Sequence, residues 1–111
     1  MKQKADGVEV DIHLTSDNRV ICHHDKNTKR TTGEDKIVAE TTFKELKTLD
    51  CGSWFGKSWL RHRIPELKEV FSCLKNQEIF IEVKTKEEII PHLIKDMKNY
   101  SNECITVISF Y

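Results

Sequence analysis

The sequence has no excess of charge of either sign: eighteen Lys plus Arg stand against eighteen Asp plus Glu. A formal net charge of zero removes the broad electrostatic footprint that a nucleic-acid partner or an anionic membrane would call for. No apolar stretch approaches the roughly 20 residues a membrane helix needs, so no transmembrane segment is expected. Met1-Lys2-Gln3-Lys4 runs into charged sequence without an apolar h-region; no signal peptide is visible, and a cytoplasmic location is the expectation. Cys22, Cys51, Cys73 and Cys104 are scattered with no C-x-x-C pair, which argues against a cysteine zinc site. Reduced, buried thiols are expected, with disulfides left open. Internal repeats and low-complexity tracts are also missing. What is there suits one globular domain: 111 residues, 38% hydrophobic and 32% charged.

Period-two alternation over Gly7-Val8-Glu9-Val10-Asp11-Ile12-His13-Leu14 predicts a strand. It sets Val8, Val10, Ile12 and Leu14 on one face and Glu9, Asp11 and His13 on the other. Thr15-Ser16-Asp17-Asn18 is turn chemistry, and 19–24 reads as a second short strand ending at Asp25. Residues 25–40 are polar and read as loop. A short helix opens near Thr41 or Thr42, with Glu45 at capping-box distance from Thr42. Another follows Pro65 through Leu67, Val70, Phe71 and Leu74. Residues 78–84 form a strand and 86–99 an amphipathic helix, where Pro91 marks a kink or the true start. An apolar strand over 104–111 completes a helix–strand–helix–strand alternation that favours a parallel sheet covered by helices.

Glu9 and Asp11, two apart on one strand, point the same way and stand about 6–7 Å apart along it. Two hard oxygen donors so placed suit Mg²⁺ or Ca²⁺. The same spacing is also, and more often, the solvated face of a half-exposed strand. His24 at a strand end, beside Asp25, is placed for proton transfer, although a surface turn histidine is the commoner reading. Glu82 and Lys84 share a face of an otherwise apolar strand, where charge needs an ion pair, a metal or a phosphate.

Taken in order, these segments resemble the glycerophosphodiester phosphodiesterase family. Ala5-Asp6-Gly7-Val8-Glu9-Val10-Asp11-Ile12-His13-Leu14-Thr15-Ser16-Asp17 is similar to its E-x-D strand, and Val20-Ile21-Cys22-His23-His24-Asp25 to its V-V-x-H-D strand end. Arg30-Thr31-Thr32-Gly33 looks like its R-T-T-x-G loop, and Ile81-Glu82-Val83-Lys84 matches a later strand. Phe43 to Lys47, Leu49 to Phe55, Ile64 to Val70 and Ile108-Ser109-Phe110 follow in the same order.

The resemblance implies part of a (β/α)8 barrel, about its second to fifth strands, with residues 25–64 as an inserted loop and helix segment. It implies that Glu9, Asp11 and Glu82 hold one divalent cation, Mg²⁺ or Ca²⁺, which polarises a small-molecule phosphodiester. His24 would be one of two catalytic histidines, and Lys84 would face the phosphate. The family's first strand, ending His-Arg-Gly, and the second half of the barrel have no counterpart in these residues. Arg61-His62-Arg63 aligns instead with the segment entering the Pro65 helix. The expected activity is hydrolysis of glycerophosphodiesters to an alcohol and glycerol 3-phosphate. The alternative is an inactive remnant or split-enzyme part that binds an ion or a partner. Open parallel edges make self-association or a complementing barrel fragment the expected macromolecular contact. Trp54, Phe55 and Trp59 read either as an apolar lip or as packing for the inserted segment.

Overall fold

The alternation at 7–14 is realised as strand β2 (Gly7–Leu14) in a computed structural model that describes residues 2–4, 7–50, 63–73, 78–85, 87–98 and 105–109. Val10 and Ile12 are buried against the helices, while Glu9 and Asp11 on the opposite face are half-buried. Strand β4 (Glu78–Val83) runs parallel to β2, and β5 (Ile105–Ser109) runs parallel to β4. Ile79, Ile81 and Val83 are buried on the helix side, which leaves Phe80 and Glu82 on the face shared with Glu9 and Asp11. The five described strands make a mixed sheet. Two short antiparallel strands join β2: β1 (Lys2–Lys4), which sequence reading did not single out, and β3 (Val20–Cys22). The expected strand at 19–24 thus stops at Cys22, although the His23 N–H still donates to the Asp11 carbonyl at 2.9 Å.

Between β3 and β4 lies helix α3 (Leu67–Cys73), and between β4 and β5 lies α4 (Ile90–Lys98), led in by a 3₁₀ turn at Glu87–Ile89. Pro91 falls at the second residue of α4, where its missing N–H costs nothing, so it marks the start of a helix and not a kink. Leu67, Val70 and Phe71 of α3, with Ile89 and Leu93, close one core over Val10, Ile12, Ile79, Ile81 and Val83. The α3 helix begins at Leu67, two residues past Pro65, because Pro65 is still serving the sheet: its carbonyl accepts from the Cys22 N–H at 2.9 Å. Glu69 Oε1 then accepts from the Glu66 N–H at 3.1 Å, half of a capping box.

The stretch 25–40 is more regular than the expected loop. Helix α1 (Lys29–Thr32) is a single turn stopped by Gly33 at φ +82°, whose N–H caps the Lys29 carbonyl. A 3₁₀ turn at Val38–Glu40 follows, then α2 (Phe43–Lys47), where the Thr42 side chain accepts from the Glu45 N–H. These pieces have their own core of Ile21, Val38, Phe43, Leu46, Leu49 and Ile64. Alternation along β3 therefore serves two cores, with Val20 in the sheet core and Ile21 in the second. Arg19 ties the two together. Its Nε and Nη2 donate to buried Glu66 at 2.7 and 2.6 Å, and its guanidinium lies 5.4 Å from the Phe43 ring centre. Among the described residues no helix is long and apolar enough to cross a membrane.

Candidate functional site

Parallel register is what brings the acidic residues together. Asp11 on β2 is paired directly with Glu82 on β4, and Glu9 lies opposite Phe80 one step down the same face. Glu9, Phe80, Glu82 and Ile108 line a small cavity of about 140 Å³. Lys84 follows Glu82 on that face, and its Nζ lies 2.5 Å from Glu82 Oε2. The charge on this apolar strand is thus met by a partner just past its end, since the expected strand at 78–84 stops at Val83. Among the described residues, no three His, Cys, Asp or Glu side chains stand close enough to form a ready metal cluster.

The two paired carboxyls differ in state. Burial first, then the hydrogen bond and like charge of Glu82, push the Asp11 carboxyl above its ordinary pKa. The Lys84 ammonium, and then the bond from Asp11, hold Glu82 below its own. Asp11 is therefore the member that takes a proton first, and Glu82 the one that stays charged. Asp11 Oδ1 is buried with no hydrogen-bond partner. A buried acceptor in this condition beside a second carboxylate is the arrangement a cation relieves. Asp11 and Glu82 therefore offer two oxygen donors to a hard divalent ion, whereas Glu9, one step along the strand, is not drawn into a three-carboxylate cluster with them.

His24 sits beyond the end of β3 with its side chain 61% exposed. Its Nδ1 is 2.8 Å from Asp25 Oδ1, and Asp25 in turn accepts from Arg30 Nε at 2.8 Å and Nη2 at 3.0 Å. The Arg30 guanidinium, then His24, keep the Asp25 carboxyl well below the usual range. A positive charge on His24 would favour the ionised forms of Asp11 and Glu82.

Two histidines without an assigned role support this corner. His13, buried on the same face as Asp11, donates from Nε2 to the His24 carbonyl at 3.0 Å. His23 donates from Nε2 to the Asn27 carbonyl at 3.0 Å. Burial holds both below the ordinary histidine pKa, so both are neutral braces. The alternation that placed Glu9 and Asp11 also placed His13, the one signal that pointed to it. Burial likewise pushes the thiol of Cys22, which packs against the sheet core, up to about 12, well outside the reactive range. A second cavity, about 510 Å³, opens at the strand ends between His13, Leu14, Lys26, Ile37, Lys84 and Thr85. It meets the acidic face through Lys84. His62, Trp54, Phe55 and Trp59 lie outside the described residues, while Arg63 stands 3.8 Å from Asp50.

Comparison with known proteins converges on one group. The glycerophosphoryl diester phosphodiesterase family model matches residues 1–109. A glycerophosphodiester phosphodiesterase of Caldanaerobacter subterraneus is 34% identical over the whole chain, which covers 48% of that relative. Human lysophospholipase D is 32% identical over 96% of the chain and 36% of its own length. Among solved structures, an Oleispira antarctica phosphodiesterase in complex with the product sn-glycerol-3-phosphate superposes with a TM-score of 0.87 at 29% identity, over 96% of this chain and 47% of that one. The chain thus spans about half the length, or less, of the relatives it matches. Matched along nearly all of its length, it belongs to the glycerophosphoryl diester phosphodiesterase family.

Proposed function

We propose that this chain carries the acidic face of a metal-dependent phosphodiesterase site that hydrolyses glycerophosphodiesters to an alcohol and glycerol 3-phosphate. The observation that carries the reading is the Asp11–Glu82 register, which sets an orphaned buried carboxylate oxygen beside a second carboxylate. The parallel β2–β4–β5 sheet is then a segment of a (β/α)8 barrel, a fold that assembles its sites at strand ends. Asp11, Glu82 and Glu9 would hold one divalent cation, Mg²⁺ or Ca²⁺. When bound, such an ion polarises a phosphodiester and stabilises charge that builds on its oxygens.

The chain's own residues supply the rest. Lys84, between the acidic face and the 510 Å³ cavity, would supply a positive charge for the phosphate. His24 takes a proton from the attacking hydroxyl or passes one to the leaving alkoxide, with its Nδ1 anchored on Asp25. Glycerophosphocholine hydrolysis with Mg²⁺ or Ca²⁺, comparing the chain with His24→Ala, tests the reading. Loss of one proton-transfer group costs on the order of 10²–10⁴ in rate; equal rates for the two proteins would remove His24 from the mechanism. A lysophospholipid serves as the second substrate, since one relative is a lysophospholipase D.

A second reading, binding of an ion or a partner without turnover, draws on the Lys84 contact that already engages Glu82. Cation binding with no hydrolysis of either substrate selects it.

A further inference from the structure

The Arg30-Thr31-Thr32-Gly33 segment has no role in the reading above, yet its arginine is joined to the candidate proton-transfer group. Arg30 leaves α1 and grips both oxygens of Asp25, Nε on Oδ2 at 2.8 Å and Nη2 on Oδ1 at 3.0 Å. Oδ1 is also the atom that meets His24 Nδ1 at 2.8 Å. We propose that Arg30 is a positioning residue: its two-point grip on Asp25 fixes that carboxylate, which in turn holds the His24 imidazole in one tautomer with Nε2 free for proton transfer. The proposal rests on the reading of His24 as that group.

The physical case has three steps. A single hydrogen bond leaves a carboxylate able to rotate about its Cβ–Cγ bond, whereas a planar guanidinium bonded to both oxygens does not. Asp25, kept ionised, can only accept, so the shared contact requires hydrogen on His24 Nδ1 and leaves the lone pair on Nε2. The imidazole itself is 61% exposed, so the Asp25 contact is the main restraint on its orientation. The grip is itself anchored. The α1 turn is closed by Gly33, by the Thr32 hydroxyl on the Thr28 carbonyl at 2.8 Å, and by fully buried Thr28, whose hydroxyl accepts from the Lys36 N–H at 3.0 Å.

The test reads the imidazole directly and needs no turnover. Long-range ¹H–¹⁵N spectra of the histidine-labelled full chain at about pH 8.5, above the ordinary imidazole range, report which ring nitrogen carries hydrogen. His24→Gln identifies its signals. The wild type should show His24 mainly as the Nδ1–H form. Arg30→Met, which keeps the side-chain stem at an exposed position, should move the ratio toward Nε2–H by roughly two- to five-fold, the range of an exposed charge pair. Arg30→Lys, which keeps the charge but not the fork, should fall between them. A folded Arg30→Met with the wild-type ratio overturns the proposal. Should Arg30→Met not fold, an unchanged ratio in Arg30→Lys overturns it. A chain that shows the Arg30-dependent tautomer but neither binds cation nor hydrolyses substrate would instead sink the functional reading alone.

Discussion

Replacing Asp11 by Asn separates two demands placed on one side chain. In the fold, Asp11 is in register with Glu82, and its Oδ1 is buried without a partner. Desolvation and the Glu82 carboxylate beside it cost the ionised Asp11 on the order of 1 kcal/mol at this half-buried position. Asn removes the like charge and offers Glu82 a donor. In the presence of a chelator, Asp11→Asn should therefore raise stability by that amount, about 3–6 °C in Tm for a domain of this size. The gain depends on pH. The folded Asp11 carboxyl is raised above its ordinary pKa by burial and by Glu82. Its cost is nil below the ordinary carboxylate range, grows as pH rises through that range toward the raised value, and is complete above it. The melting curves of the two proteins should coincide in acid and separate toward neutrality. Mg²⁺ or Ca²⁺ should then reverse the order. A bound ion at a hundred times its dissociation constant stabilises by about 2.7 kcal/mol, and this should appear in the wild type only. Thermal denaturation followed by circular dichroism, in chelator and in each ion, reads all three expectations. A variant that melts below the wild type in chelator at neutral pH, or gains equally from the ion, refutes the reasoning.

Two further perturbations address the frame that holds the site. Arg19→Met leaves buried Glu66, among the described residues, with only Lys68, 3.7 Å away, to replace the lost fork. Breaking a buried pair costs about 3–5 kcal/mol, and the 41% exposure of Arg19 with the remaining Lys68 reduces this to ~2 kcal/mol, measurable by urea denaturation. Thr42→Ala removes the cap on the Glu45 N–H and should cost ~1 kcal/mol by the same assay, while Thr42→Ser should restore most of it.

The two faces of β2 were legible from alternation alone, since a strand turns successive side chains to opposite sides whatever surrounds it. So were the Thr42 cap and the helical spacing of Leu67, Val70 and Phe71, which depend on contacts within a few residues. The order of the motifs along the chain points to the family without coordinates, and the match over residues 1–109 agrees.

Long-range pairing was not legible. Nothing local states that β2 and β4 pair in parallel with Asp11 against Glu82 rather than one residue along; a slip of one would put Glu82 on the helix side. The α1 turn was not legible either, because a four-residue polar helix has no apolar stripe, and it forms where buried Thr28 and Gly33 hold its ends. Arg30 and His13 were visible as letters of a pattern, but their partners Asp25 and the His24 carbonyl depend on how that turn and β2 are packed. Sequence periodicity determined which side chains share a face. Only the tertiary structure decided which of them meet, because strand register and loop closure are set by burial across the whole sheet.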